Sequence, residues 1–194
     1  QFEIGPADEE WLNENPGKNF QFVNDIFGGA IPKEFVPAII KGFESAMSNG
    51  VLANYPMVNM KIRVFDGSYH DVDSDSMSFE LCAKSGFREA ARKANPVLLE
   101  PIMKVEVVTP DQYMGDVTGD LNRRRGMLEG MDSRAGAQVI KAKVPLSEMF
   151  GYVTQLRSLT SGRASSTMEF SHYAPAPNNI AEEVIAKVKG KVSA

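Results

Sequence analysis

The sequence has few of the residues that enzymes most often use for chemistry. Its 194 residues include one cysteine, Cys82, and two histidines, His70 and His172. A single cysteine excludes an internal disulfide framework and is typical of a reducing compartment such as the cytoplasm. Neither a phosphate-binding GxxxxGK loop nor a zinc-binding HExxH helix occurs in the chain. We therefore expect no catalytic residue, no metal site and no cofactor in this chain.

Long apolar runs are also missing. No stretch approaches the roughly 18–20 apolar residues that span a bilayer, and no signal-peptide pattern opens the chain. Hydrophobic residues make up 43% and charged residues 24%, as in ordinary soluble globular proteins. The length allows one large domain or two of about 100 residues each. We expect a cytoplasmic protein without membrane contact.

The charge is unevenly distributed. The net charge is −4, and residues 1–95 contain 9 Lys and Arg against 14 Asp and Glu. Residues 96–194 contain 12 against 11. Such a balance is not typical of a nucleic-acid-binding domain. Any contact with RNA must therefore be local.

The densest positive run is Arg123, Arg124 and Arg125, which Arg157 and Arg163 could extend into a patch. Cations at the end of a helix are favoured by the helix dipole, so helix capping alone could explain them. Three consecutive arginines exceed what capping needs, and arginine pairs bidentately with phosphate. Two interpretations stay open, a helix cap and a contact with RNA or a partner protein.

Apolar periodicity predicts a mixed α+β chain with a different element order in each half. In the first half, alternation indicates strands at residues 2–4, 20–26 and 57–65, and helical spacing indicates helices at 33–49 and 76–94. The second half has the order β-α-β-β-α-β, which is the ferredoxin-like arrangement. A final amphipathic helix follows it. The chain is therefore expected to form two α+β domains.

The patterns also predict the roles of individual residues. Cys82 lies on an apolar helical stripe, so we expect it to be buried. His172 lies in a predicted strand, and we expect a structural role for it. Thr109–Gln112 has the form of a capping box that opens a helix. The polar segment Gly5–Lys18 is predicted to be a loop.

A polar loop led by glycine, Gly67–Ser74, places His70 between a strand and a helix. Chemically unusual residues in exposed loops more often serve contact than packing. Asp71, Asp73 and Asp75 alternate as in a calcium loop, but the glycine and glutamate that such a loop needs at its sixth and twelfth positions are absent. We expect these acids to favour the start of the following helix.

Five segments carry motifs that occur together in one protein family. They are FVNDIFGGAIP at 22–32, GSYHDVDS at 67–74, PVLLEPIM at 96–103, GDVTGDLNRRRG at 115–126 and PLSEMFGY at 145–152. Together they resemble the C-terminal part of bacterial translation elongation factor G. The match covers nearly the whole chain in the family's order and is weakest at Gly5–Asn19.

The resemblance implies two domains. Residues 1–99, with a C-terminal helix at 178–191 packing back on them, would form domain IV, an α/β-sandwich of the ribosomal protein S5 domain 2 type. Residues 100–174 would form domain V with the ferredoxin-like fold.

The resemblance also implies a function, because the family is a ribosomal translocase. Domain IV reaches the decoding site, where two tip loops contact the transfer RNA–messenger RNA duplex. The residues that match these loops are Gly28, Gly29, Ala30, Ser68, Tyr69, His70 and Asp71. Domain V lies by ribosomal RNA and proteins of the GTPase-associated centre of the large subunit, which Arg123, Arg124, Arg125, Arg157 and Arg163 could contact. The implied partner is the ribosome, and the protein would act as a monomer.

The chain departs from the family by lacking a nucleotide-binding domain. We therefore expect no enzymatic activity in it, with GTP and Mg²⁺ bound by an upstream domain of a longer GTPase. Three alternatives stay open. They are a paralogue that does not need GTP hydrolysis, a ribosome-protection factor, and a stand-alone ferredoxin-like regulatory module.

Overall fold

The chain folds into two compact units, each with its own sheet. The structure, a computed structural model, describes residues 1–192. The first unit comprises Gln1–Leu98 together with the last helix, and the second comprises Leu99–Pro177. In chain order the elements are β1 (Phe2–Pro6), α1 (Glu9–Glu14), β2 (Phe20–Asn24), α2 (Val36–Met47), β3 (Met60–Val64), α3 (Ser76–Lys93), β4 (Leu99–Pro110), α4 (Met114–Arg123), β5 (Met127–Arg134), β6 (Ala137–Pro145), α5 (Tyr152–Leu159), β7 (Ser165–Pro175) and α6 (Asn178–Val192).

The first unit is built on a three-stranded mixed sheet. Its order is β1-β3-β2, with β1 antiparallel and β2 parallel to the central β3. Phe43 of α2 and Phe87 of α3 pack with Ile62 of β3 in one buried core. The two helices approach closely at Gly42, where a Cβ atom would lie 2.4 Å from the Glu80 carbonyl oxygen. The result is a layer of helices on a sheet.

The second unit has a four-stranded antiparallel sheet with the order β5-β6-β4-β7. Val117 and Leu121 of α4 and Leu156 of α5 share a buried core with Val105 and Ile140 of the central strands. The order of elements and strands is that of the ferredoxin-like fold. The two sheets confirm the predicted α+β class with two domains.

Two local predictions are wrong. No helix begins at Thr109, because β4 continues to Pro110 and α4 starts at Met114 after one 3-10 turn. Thr109 is fully buried in the strand, and neither the 3-10 turn nor α4 has a side-chain cap. The supposed loop at 5–18 contains α1, a six-residue helix with no buried residue. A helix this short and exposed leaves no apolar period in the sequence.

Cys82 is exposed, which also contradicts the prediction. The buried row of α3 is Ala83, Phe87 and Ala91, at intervals of four residues. Cys82 is one residue, or about 100°, away from this row. His172 lies in β7 as predicted, exposed, with its Nδ1 2.9 Å from the Ser171 hydroxyl. Among the helices of the described residues, none is long and apolar enough to cross a membrane.

Candidate functional site

The parallel pairing of β2 and β3 brings two loops to one edge of the first sheet. The last residues of these strands, Asn24 and Val64, are paired in register. Because the strands run in the same direction, the chain leaves both at the same edge, about 5 Å apart. The Asp25 amide donates a hydrogen bond to the Val64 carbonyl at 2.8 Å and holds the two exits together. We call residues 27–31 and 67–74, which follow these exits, the tip.

The first tip loop is a tight turn from Phe27 to Ala30. The Ala30 amide donates to the Phe27 carbonyl at 3.3 Å, and Gly28 and Gly29 have φ of 65° and 72°. Two successive positive φ values are those of a type I′ turn, which strongly favours glycine. A Cβ atom on either glycine would meet nothing within 4 Å. The backbone conformation, rather than lack of space, therefore requires glycine here, and the turn is open to a partner.

The second loop packs against the first through Gly67. A Cβ atom at Gly67 would lie 2.4 Å from Cδ1 and 2.7 Å from Cγ1 of Ile31. Ile31 itself belongs to the buried core of the unit. The two loops are thus interlocked, since one supplies a buried side chain and the other supplies the space for it.

His70 is the first residue of a helical turn that ends the second loop. Its carbonyl accepts hydrogen bonds from the amides of Asp73 and Ser74, at 3.2 and 3.0 Å. Its own amide donates to the Ser74 hydroxyl at 3.1 Å. The His70 ring is exposed and forms no hydrogen bond or ion pair within the described residues. The backbone is fixed, and the imidazole is available to a partner.

Tyr69 has a different role from its neighbour. Its ring packs on Phe35, with the ring centroids 5.7 Å apart, and is half-buried against the core. A hydrogen bond with the Asp71 carboxylate, with a smaller effect of burial, raises the pKa of Tyr69. The tyrosine therefore anchors the loop, while Ser68, His70 and Asp71 are exposed.

Two apolar residues of the tip are strongly exposed and were not predicted as contact residues, although the resemblance implies a first tip loop at Phe27–Ile31. Phe27 is 90% exposed and Val72 is 92% exposed, the highest values among the large hydrophobic residues of the described chain. Phe27 precedes the glycine pair, and a large apolar side chain beside a tight polar turn is the only signal that could have indicated it. Phe27 adds exposed apolar surface beside the glycine turn, and Val72 adds it to the loop that contains His70.

The surroundings of the tip are acidic. Asp66, Asp71 and Asp73 are exposed, and Asp75 caps α3 by accepting a 2.6 Å hydrogen bond from the Ser78 amide. Hydrogen bonds with Ser78 lower the pKa of Asp75. No group of histidine, cysteine and acidic side chains in the described residues is arranged to hold a metal ion. The tip contains no lysine or arginine, so its side chains offer stacking, apolar contact and hydrogen bonds rather than a strong positive charge.

The arginine run of the second unit is mostly directed inward. Arg124 pairs with Asp120 at 2.9 Å and donates to the Glu148 carbonyl. Its guanidinium lies 5.1 Å from the centroid of the Tyr152 ring. Its side chain is only 17% exposed. Arg124 connects the end of α4 to the start of α5, as a helix-end cation.

Arg125 is likewise committed to contacts within the unit. Its Nη atoms donate to both oxygens of Glu100 at 2.9 and 2.8 Å, and its Nε donates to Glu148 at 3.1 Å. The hydrogen bonds to Glu100 raise the pKa of Arg125. Its φ is 56°, and the amides of Arg125 and Gly126 donate to the carbonyls of Asn122 and Leu121. This is a Schellman motif with arginine at the left-handed position.

The other three arginines of the predicted patch are exposed but lie at two ends of the helix layer. Arg123 ends α4, close to the contacts that Arg124 makes with the start of α5. Arg157 and Arg163 lie at the end of α5. Hydrogen bonds with Ser161 and Gln112, together with the charge of Arg163, lower the pKa of Tyr113, which precedes α4.

The two helices of the second unit therefore run in opposite directions. The ten residues of α4 separate Arg123 from Arg163 by about 15 Å. The predicted patch is thus divided, with an ion-paired part at one end and Arg157 with Arg163 at the other.

Comparison with known proteins agrees with this architecture. A model of elongation factor G domain IV matches residues 5–95, and a model of the elongation factor G C-terminus matches residues 97–184. Elongation factor G of Cytophaga hutchinsonii is 59% identical over 189 residues, which are 97% of this chain and 26% of that protein. Elongation factor G of Amoebophilus asiaticus is 57% identical over the same length and shares.

A crystal structure of a protein from Thermus thermophilus has the same fold. The TM-score is 0.84 at 36% sequence identity, and the alignment covers 97% of this chain and 27% of that one. The chain spans about a quarter of the length of the relatives that it matches. It belongs to the elongation factor G family of translation factors, of which it carries domain IV and the C-terminal domain.

Proposed function

We propose that this chain is the part of a ribosomal translocase that engages the decoding site and the large subunit. The tip of the first unit enters the decoding site and moves the transfer RNA–messenger RNA duplex. The second unit contacts ribosomal RNA or ribosomal proteins of the large subunit. The factor acts as a monomer in the cytoplasm.

The observation that supports this proposal best is the construction of the tip. Two loops leave paired strand ends at one sheet edge, and the contact of Gly67 with Ile31 joins them. The fixed turn at His70 then presents an imidazole that has no partner within the described residues. Proteins recognise RNA outside regular helices by stacking and by hydrogen bonds to bases and 2′-hydroxyls, for which an imidazole is suited.

The tip acts by occupying space and making contacts in the decoding site rather than by catalysing a reaction. Its acidic surroundings repel RNA phosphates, so close contact is confined to the glycine turn, Phe27 and His70. The energy for movement comes from elsewhere in a longer factor, where an upstream domain binds GTP and Mg²⁺. In the second unit Arg123, Arg157 and Arg163 remain as contacts for ribosomal RNA or protein, while Arg124 and Arg125 stabilise the fold.

The proposal is tested by His70→Ala in a full-length factor that carries this chain. We expect slower translocation with GTP hydrolysis on the ribosome largely unchanged, because the substitution removes a contact of the tip and no part of the GTP site. Translocation is followed by the movement of a fluorescent messenger RNA, and hydrolysis by phosphate release.

The matched control is His172→Ala, which removes the other exposed histidine from β7 and should leave both rates unchanged. If His70→Ala lowers both rates equally, or lowers neither, the proposed role of the tip is wrong.

A further inference from the structure

Helix α3 carries a row of cations that form no ion pair within the described residues. Lys84, Arg88 and Arg92 follow one another at intervals of four residues, so they lie along one side of the helix. The row is offset by one residue, about 100°, from the buried row that begins at Ala83. It therefore runs along the flank of α3 beside the buried face.

The acidic residues of α3 are already paired with other cations. Glu80 pairs with Lys41 of α2 at 3.1 Å, and Glu89 pairs with Lys93 at 2.6 Å. The helix has no other acid. Hydrogen bonding to Lys93, with a smaller effect of the charge of Arg92, lowers the pKa of Glu89, but neither acid forms an ion pair with a member of the row.

The row also accounts for most of the uncompensated positive charge in its part of the chain. Residues 1–95, all of which the structure describes, contain nine lysines and arginines, and four of these form ion pairs. Of the five that remain, three are Lys84, Arg88 and Arg92, and the others are Lys18 and Lys33. In a segment with five more acids than bases, unpaired charge is thus concentrated on one helix flank.

The side chains of the row are partly held in place. Lys84 and Arg88 are half-buried, and Arg92 is exposed. Long cationic side chains at such positions lay their alkyl stems on apolar surface and keep the charged group in water. Such side chains lose less conformational entropy when a partner binds them than freely moving surface lysines would.

We propose that this row binds the phosphate backbone of an RNA helix. Neighbouring members of an i, i+4 row are about 6 Å apart, comparable to successive phosphates of one strand. The helix rises about 12 Å over the eight steps from Lys84 to Arg92, so the row can contact about three phosphates in succession. The acidic remainder of the segment repels RNA and so restricts binding to this flank.

The choice of RNA as the partner rests on the proposed function, whereas the row itself does not. The proposed binding site lies outside the tip. Helix α3 begins directly after the tip, and the row lies along the second half of α3. The tip would contact RNA without lysine or arginine side chains, whereas the row would contact phosphates. A negatively charged protein surface is the other class of partner that the row could fit.

The test measures binding of this chain to a short fluorescent RNA duplex of arbitrary sequence, by anisotropy over a series of KCl concentrations. The variant is Lys84→Gln, Arg88→Gln and Arg92→Gln combined. We expect weaker binding and a slope of log K against log[KCl] that is shallower by about 2–3, since each phosphate contact contributes about 0.9.

The matched control combines Lys41→Gln, Lys93→Gln and Lys187→Gln. It makes the same change in net charge, but each lysine is paired with an acid and exposed, so little stability is lost. The control should bind RNA with nearly the original slope. Circular dichroism of both variants establishes that they are folded.

Three results would overturn the proposal. They are equal losses in both variants, an unchanged slope in the first variant, and no measurable binding by the unsubstituted chain. Loss of binding to a poly-glutamate peptide but not to the duplex would assign the row to an acidic protein instead. Because the assay uses neither ribosomes nor translocation, its outcome is independent of the His70→Ala result.

Discussion

At the scale of single residues, the contact between Gly67 and Ile31 determines the shape of the tip. Glycine is needed at position 67 because any Cβ atom would overlap the side chain of Ile31. The requirement is steric, in contrast to the glycine pair of the first loop, where positive φ is decisive. A substitution at Gly67 should therefore be corrected by a smaller side chain at position 31.

Gly67→Ala should destabilise the chain by about 1–3 kcal/mol, as expected for an extra methyl group in a filled site. Adding Ile31→Val removes Cδ1, the atom nearest to the new methyl group, and should restore part of the loss. The free energy of unfolding from urea titrations of the single and double variants measures this coupling.

Gly5→Ala is the control, because a Cβ atom there meets nothing within 4 Å. If the destabilisation of the double variant equals the sum of the effects of the two single substitutions, the two residues are not in direct contact.

The residue scale also shows what composition and pattern can predict. A turn at Gly28 and Gly29 is predictable from residue type alone, since glycine readily adopts positive φ. The exposure of Cys82 and the packing of Tyr69 on Phe35 were not predictable, because each depends on the angle at which α3 or the loop meets distant residues. His70 was predicted as an exposed loop residue, and its ring is exposed.

At the scale of elements, the end of α4 and the start of α5 are joined by a cluster around Tyr152. Its ring is buried, with the Arg124 guanidinium above it. Its hydroxyl is buried and forms no hydrogen bond within the described residues. Burial, with a smaller effect of Asp120, raises the pKa of Tyr152 to about 12.

This pKa makes stability depend on alkaline pH. The folded chain keeps a proton that the unfolded chain releases near the ordinary tyrosine pKa of about 10. The unfolded state then binds fewer protons, so the free energy of unfolding decreases between about pH 10 and about pH 12. The contribution is fully present below about pH 10.

Tyr152→Phe should remove this loss while keeping the ring over Arg124. At about pH 7 the free energy of unfolding should either increase or stay within about 1 kcal/mol of the original value, because an unpaired buried hydroxyl is removed. Chemical denaturation at about pH 7 and about pH 11 measures both effects. Tyr152→Leu is the control, since it removes the hydroxyl and also the ring and should be less stable at both pH values. Because the pKa of Tyr69 is also raised, a smaller decrease should remain in Tyr152→Phe. An alkaline decrease of the same size as in the unsubstituted chain would exclude the Tyr152 hydroxyl as its cause.

Element boundaries were predictable where one face of an element is buried. Alternation in the strands and the row through Phe87 in α3 indicated these elements correctly. The start of α4 was not predictable, since Thr109–Gln112 has the form of a cap but β4 runs on to Pro110. The pairing of Thr109 and Pro110 with Gln138 and Ala137 of β6 outweighs the local preference for a cap.

At the scale of the whole molecule, the two units differ in net charge and in which of their cations form ion pairs. The first is acidic and concentrates its free cations on α3. The second is nearly neutral, with Arg124 and Arg125 in ion pairs and Arg157 and Arg163 exposed at the end of α5. The sequence could indicate a cationic cluster but could not divide it, because the antiparallel arrangement of α4 and α5 decides which arginines are close.

Arg157→Gln with Arg163→Gln should weaken ribosome binding by a full-length factor, most strongly at low salt. Pelleting with ribosomes over a KCl series measures the effect. The control, Lys104→Gln with Arg134→Gln, removes the same charge from exposed positions of β4 and β5 in the same unit. Equal weakening by the two pairs would mean that only net charge matters.

The exposure of Cys82 has a practical consequence for watching this molecule move. It is the only thiol in the chain, so one fluorophore can be attached at a single known position. The position lies within α3, an 18-residue helix about 27 Å long that begins directly after the tip. Because the hydrogen-bonded helix moves as a rod, a dye there would report displacement of the tip without touching it. Under the proposed function, single-molecule energy transfer from that dye to a labelled RNA would follow the displacement of the tip in real time.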